Sequence, residues 1–125
     1  MSIFYKPADG WAADCIPFFW QGEYHLFYLK DYRDEAGHGP GTPWFHLGTR
    51  DFVHFTDYGE ALPRGGRDDQ DLFVFTGCVI EHAGLFHIYY TGHNPLFKEQ
   101  GRPVQTIMHA TRPDLVHWTK DPANP

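Results

Sequence analysis

Asp14 is the residue of this chain best placed to do chemistry. It follows Trp11-Ala-Ala and opens an apolar run, Cys15-Ile-Pro-Phe-Phe-Trp20. A carboxylate at the mouth of such a run sits beside aromatic walls rather than in open water. There it can attack or stabilise an electron-poor carbon, such as the anomeric carbon of a sugar. An aspartate in that place can equally cap a turn by accepting local backbone N–H bonds. The nine histidines show no ligand spacing with cysteine or carboxylate partners, so no metal and no cofactor are expected. The two cysteines, Cys15 and Cys78, keep step with each other along the chain and are expected as buried thiols in equivalent positions, without a disulfide.

The elements that would position Asp14 come in duplicate. Glu23-Tyr-His-Leu-Phe-Tyr28 and Thr49-Arg-Asp-Phe-Val-His-Phe55 recur as Leu85-Phe-His-Ile-Tyr-Tyr90 and Thr111-Arg-Pro-Asp-Leu-Val-His-Trp118, at a period of about 62 residues that signals stacked units. Each unit divides into four short strands: Cys15–Trp20, Glu23–Leu29, Trp44–Arg50 and Val53–Thr56, then Phe73–Glu81, Phe86–Tyr90, Val104–Ala110 and Val116–Thr119. Turn signals fall between them at Gln21-Gly22, Ala83-Gly84, Gly92-His93-Asn94-Pro95 and Arg112-Pro113-Asp114. No long segment repeats apolar residues at helical spacing. The expectation is an all-β chain of two four-stranded antiparallel blades of a β-propeller, one over about 10–58 and one over about 70–120. The first strand of each blade lines the central channel and the last forms the rim. His54 and His117 recur in the rim motif and read as structural; His25 and His87 read as packing residues.

Composition narrows the partners. With 125 residues the chain fits one compact domain, and a net charge of −6 without a basic cluster argues against nucleic acid and anionic membranes. No apolar stretch approaches the roughly 18 residues of a membrane span. Met-Ser-Ile-Phe-Tyr-Lys-Pro lacks a charged segment followed by an apolar run, so a cytoplasmic location is expected.

The order of short motifs carries a resemblance. Trp11-Ala-Ala-Asp14 precedes His25-Leu-Phe-Tyr28. Trp44-Phe-His46 follows, then Asp51-Phe-Val-His-Phe55, Phe75-Thr-Gly77, Tyr90-Thr-Gly92 and Gln105-Thr-Ile-Met-His-Ala-Thr. Together these resemble the N-terminal part of the five-bladed β-propeller glycoside hydrolases, closest to family 32, the β-fructosidases such as invertase and levanase; families 43 and 68 are related. The resemblance covers most of the chain. It implies that Asp14 is the nucleophile, and that Trp11, Trp44 and Phe75 meet the substrate, Trp44 and Phe75 as aromatic walls beside the sugar; Trp44 and Phe75 each read equally well as core residues. Thr76 stands where the family has serine and can bond a hydroxyl. His46 points either at the pocket or into the sheet. A carbohydrate, oligosaccharide or fructoside-like, is the implied substrate. The chain departs from the family at Ala13, Cys15 and Leu29, where asparagine, proline and glutamine are usual.

The resemblance also implies an acid/base glutamate on a third blade, after an Arg-Asp-Pro motif. Glu23, Glu60, Glu81 and Glu99 do not sit in such a motif, and Asp9, Asp57, Asp69 and Asp71 read as solvated turn carboxylates. The chain alone is therefore expected to be inactive, as a truncated portion of a longer protein or as a unit that self-associates to cover its open blade faces. The alternative is a non-catalytic carbohydrate-binding or structural two-blade unit.

Overall fold

The computed structural model describes residues 4–125. Two four-stranded antiparallel sheets stack face to face. The first comprises β1 (Trp11–Trp20), β2 (Glu23–Asp31), β3 (Trp44–Thr49) and β4 (Phe55–Leu62), paired in that order. The second comprises β5 (Phe73–His82), β6 (Leu85–His93), β7 (Gln105–Arg112) and β8 (Thr119–Lys120), also in order. A four-residue helix, α1 (Glu35–His38), lies in the β2–β3 connection, and a single 3-10 turn (Pro95–Lys98) lies in the β6–β7 connection.

The inner hairpins follow from their turns. Gln21 and Gly22 have φ of 48° and 79°, and Ala83 and Gly84 have 52° and 79°. Two successive left-handed residues make the tight turn whose twist matches antiparallel strands. The turns set the register of Trp20 opposite Glu23 and His82 opposite Leu85.

The fourth strands begin later than their sequence pattern suggests. Asp51 Oδ1 accepts from the backbone N–H of Val53 (2.9 Å) and His54 (2.8 Å), and Asp114 Oδ1 accepts from Val116 (2.9 Å) and His117 (2.7 Å). These carboxylates bend the backbone at Val53-His54 and Val116-His117, so pairing starts only at Phe55 and Thr119. The imidazoles of His54 and His117 close the same turns, with Nδ1 2.7 Å from Asp51 and 3.4 Å from Asp114. β4 then runs on through Gly59–Leu62, where a connection was expected.

Alternation on the strands builds the core between the sheets. Phe27, Leu29, Trp44 and His46 of sheet one face Val74, Phe86, Ile88, Tyr90, Met108 and Ala110 of sheet two. Phe27 meets Trp118 edge-on at 6.0 Å, and Phe86 meets Trp20 at 5.1 Å. The other face of sheet two, with Ile80, Tyr89 and Ile107, is exposed. Both cysteines are exposed and free, contrary to the expectation of buried thiols. Cys15 lies in a break of the β1 ladder, and Cys78 alternates with buried Val79 and so faces outward.

Asp71 is also not a solvated turn residue. It is 3% exposed and accepts from the Tyr90 hydroxyl (2.9 Å), with Lys120 Nζ at 2.6 Å. Burial and the Asp71 charge push the Tyr90 hydroxyl far above its ordinary pKa. This trio ties the start of sheet two to its last strand.

Candidate functional site

Both inner strands break register at the same end of their sheets. In β1 the break falls between Ala13 and Ile16, and in β5 between Val74 and Gly77. An extra residue in such a break leaves the ladder and re-aims its side chain. Asp14 occupies the β1 break with φ of 50°, a left-handed conformation that aspartate tolerates better than most residues. Thr76 occupies the β5 break, 62 residues on, and its hydroxyl donates to Asp14 Oδ2 at 3.2 Å. Gly77 follows because a Cβ there would strike the backbone of Tyr89 and Tyr90.

Asp14 separates two hollows. The larger, about 330 Å³, is lined by Asp14, Leu29, Phe75, Thr76, Thr91 and Gln105. The smaller, about 160 Å³, is lined by Ala12, Ala13, Asp14, Cys15 and Tyr28. The larger cleft thus joins one carboxylate to two apolar surfaces and three neutral polar side chains, the composition of a small-molecule site. Asp14 is the only carboxylate among the described residues that line it. With a hydroxyl donor on one oxygen, it is oriented to act as nucleophile or charge stabiliser.

Phe75 supplies the aromatic surface, and its ring is held from behind. His93 stacks on it at 4.7 Å with planes 13° apart, and Phe73 meets it edge-on at 5.7 Å. Burial lowers the pKa of His93, which favours a neutral imidazole in that stack.

Three of the residues expected at the site, Trp44, His46 and Trp11, are not in this cleft. Trp44 is fully buried between the sheets, and its indole Nε1 donates to the Phe75 carbonyl at 3.0 Å. It offers no face to a ligand; it holds the backbone of the residue that does. His46 is 1% exposed and turned into the sheet, stacked on Phe27 at 4.2 Å, with Nε2 2.9 Å from His25 Nδ1. Burial, with a smaller contribution from His25, drives its pKa down to about 3. His25, read as a packing residue, is thus also a hydrogen-bond partner. Trp11 is exposed at the start of β1, flanked by Lys6 Nζ at 5.3 Å and the Arg33 guanidinium at 5.5 Å, and it lines neither hollow.

Asp14, Phe75 and Thr76 do come together. Leu29, Thr91 and Gln105 join them without having been singled out as site residues. Leu29 was marked as a departure from the family pattern; Thr91 and Gln105 stand in motif strands near residues of the cleft, which only pairing across strands makes visible. No group of three or more histidine, cysteine, aspartate or glutamate side chains suited to a metal occurs among the described residues. No helix among them is long and apolar enough to cross a membrane.

Two stacked four-stranded sheets, broken at matching ends of their inner strands, define a β-propeller protein. The model of the glycosyl hydrolases family 32 N-terminal domain matches residues 4–125, and the chain belongs to that family. It is 34% identical over 117 residues to a sucrose-6-phosphate hydrolase of Zymomonas mobilis subsp. mobilis, covering 92% of this chain and 22% of that protein. It is 41% identical over 73 residues to a levanbiose-producing levanase of Bacillus subtilis, covering 58% of this chain and 13% of the levanase. Among solved structures it superposes on fructan 1-exohydrolase IIa of Cichorium intybus in complex with 1-kestose, with a TM-score of 0.72 and 25% identity over 97% of this chain and 22% of that one. The chain therefore spans about a fifth of the length of such relatives.

Proposed function

We propose that this chain supplies the nucleophile side of a β-fructosidase-type glycoside hydrolase, with Asp14 as the nucleophile. The observation that carries the reading is the placement of Asp14: a carboxylate in a β-bulge, held by Thr76, in a cleft whose apolar wall is Phe75. Membership of the family and the hydrolase and exohydrolase activities named for its relatives support a fructosyl-containing carbohydrate as substrate.

In this reading an Asp14 oxygen attacks the anomeric carbon while the bond from that carbon to the leaving oxygen breaks. The leaving oxygen takes a proton from a carboxylic acid. Water then attacks the same carbon, losing a proton to the carboxylate left by that acid, while the bond from carbon to Asp14 breaks, freeing the sugar and restoring both groups. The proton donor must stand about 5–5.5 Å from Asp14. No second carboxyl group of the described residues lines the cleft, so the reading requires one from a further part of the propeller. The exposed outer face of sheet two, with Tyr89 and Ile107, is the surface such a part would cover.

The lone carboxylate also favours a second reading, a non-catalytic carbohydrate-binding unit. Hydrolysis of sucrose and inulin by the intact protein and by its Asp14→Ala variant separates the two. Loss of on the order of 10⁴-fold or more with an unchanged melting temperature supports the nucleophile. Equal rates in both proteins overturn it, and sugar binding without hydrolysis by either establishes the binding unit.

A further inference from the structure

We propose that Gln105 is a substrate-binding residue of the Asp14 cleft, recognising a ring hydroxyl of the sugar whose anomeric carbon Asp14 attacks. The inference rests on the glycosidase reading and names one specificity determinant within it.

Gln105 opens β7, directly opposite His93 on β6, and His93 carries the ring of Phe75. Its side chain lines the cleft with Asp14, Thr76 and Thr91. It is exposed, and its carboxamide makes no hydrogen bond among the described residues. Gln70, in the turn before β5, shows what a structural carboxamide looks like. That residue is 4% exposed and its Nε2 is spent on the carbonyls of Gly92, Pro103 and Val104 at 3.2–3.3 Å. Thr76 is likewise engaged, donating to Asp14. Gln105 therefore brings an unspent donor and acceptor to a cleft whose other large surfaces, Leu29 and Phe75, are apolar.

A carboxamide both donates and accepts, as a sugar hydroxyl does, so one residue can satisfy both halves of a hydroxyl's bonding. Phe75 and Leu29 suit the C–H face of the ring, which leaves its hydroxyls to the polar side of the cleft. A site that bonds a hydroxyl discriminates against the analogue lacking it, because its own polar group is then left without a partner.

The test is steady-state hydrolysis of sucrose by the intact protein and its Gln105→Ala and Gln105→Asn variants, repeated on monodeoxy analogues of the fructosyl unit. Loss of one neutral hydrogen bond predicts a kcat/KM about three- to tenfold lower for Gln105→Ala, with an unchanged melting temperature. The loss should vanish on one deoxy analogue and persist on the others. No loss, an equal loss on every analogue, or a loss that tracks a fall in melting temperature overturns the proposal. Asp14→Ala measured alongside keeps the two ideas apart. Wild-type rates in Asp14→Ala end the nucleophile reading, whereas Gln105 is judged on the analogue panel. If the intact protein hydrolyses none of these sugars, saturation-transfer NMR with fructose replaces turnover. Weaker transfer in Gln105→Ala then supports the proposal, and no transfer to the wild type, or equal transfer to both, overturns it.

Discussion

The break in β1 and the break in β5 are the same backbone device with different cargo. Each interrupts an inner-strand ladder near its start, and each frees a side chain toward the other. The first presents Asp14, a charge in a left-handed backbone conformation; the second presents Phe75 and Thr76, an aromatic face and a hydroxyl. Neither break makes a site by itself. The cleft exists only because the sheets stack, so that the carboxylate of one is met by the wall and the hydroxyl of the next. A repeated unit can thus carry scaffold identically and still build an asymmetric site at its junction, because a bulge fixes where a side chain goes but not what it is.

The comparison breaks most completely at Trp44, the strut beneath the second break. Replacing it with alanine empties a fully buried position and removes the donor to the Phe75 carbonyl. A destabilisation of about 3–5 kcal/mol is expected in chemical denaturation. A change below about 1 kcal/mol would mean that the junction does not depend on this residue.

Thr76→Val removes the link between the breaks while keeping the shape of the side chain. A hydrogen bond to a charged group contributes about 1.5–3 kcal/mol, so hydrolysis should fall by roughly 10- to 100-fold with little change in stability. Wild-type kcat/KM in that variant would show that Asp14 is held by other means.

The last test uses pH and concerns another pair of matched positions. His25 and His46 in sheet one sit 2.9 Å apart, as do His87 and His109 in sheet two. In sheet two the second imidazole also reaches Asp121 at 3.1 Å, whereas His46 Nδ1 is buried without a hydrogen-bond partner among the described residues. The folded pKa of His46, about 3, lies below its ordinary 6.5. Between those values the unfolded chain binds more protons than the folded one. Stability from this residue is complete above about pH 6.5 and declines as pH falls toward about 3, by at most about 1.4 kcal/mol per unit. His46→Gln should flatten that slope in denaturation series across the window. An unchanged slope would assign the acid sensitivity elsewhere.

What was legible in the sequence follows from how local each feature is. Gln21-Gly22 and Ala83-Gly84 announce their hairpins because the turn needs two left-handed residues in a row. The all-β class and the strand count come from short alternating runs between such turns. The starts of β4 and β8 were misread because Asp51 and Asp114 bond the backbone two and three residues ahead, which strand propensity does not register. Trp44 and His46 stayed open between pocket and interior, because their burial depends on the neighbouring sheet, which no motif within sheet one reveals. Asp71 looks like a turn residue until Tyr90 and Lys120 close over it from far along the chain. Asp14 stood out because it opens an apolar run, and Thr76 through the motif order that carries the resemblance. Thr91 and Gln105 did not, because the cleft collects them from strands that pair only in three dimensions.

The tie between Lys120 and Asp71 gives the site an order of birth. Every strand of sheet one has been made once Leu62 is added, before the Thr76 that bonds Asp14 from sheet two. Sheet two keeps a buried carboxylate without its cation until Lys120 follows. At about 5–20 residues per second that interval lasts several seconds. Phe75 and Thr76 precede Lys120 along the chain, so the wall and the hydroxyl that meet Asp14 are made before the cation that closes sheet two.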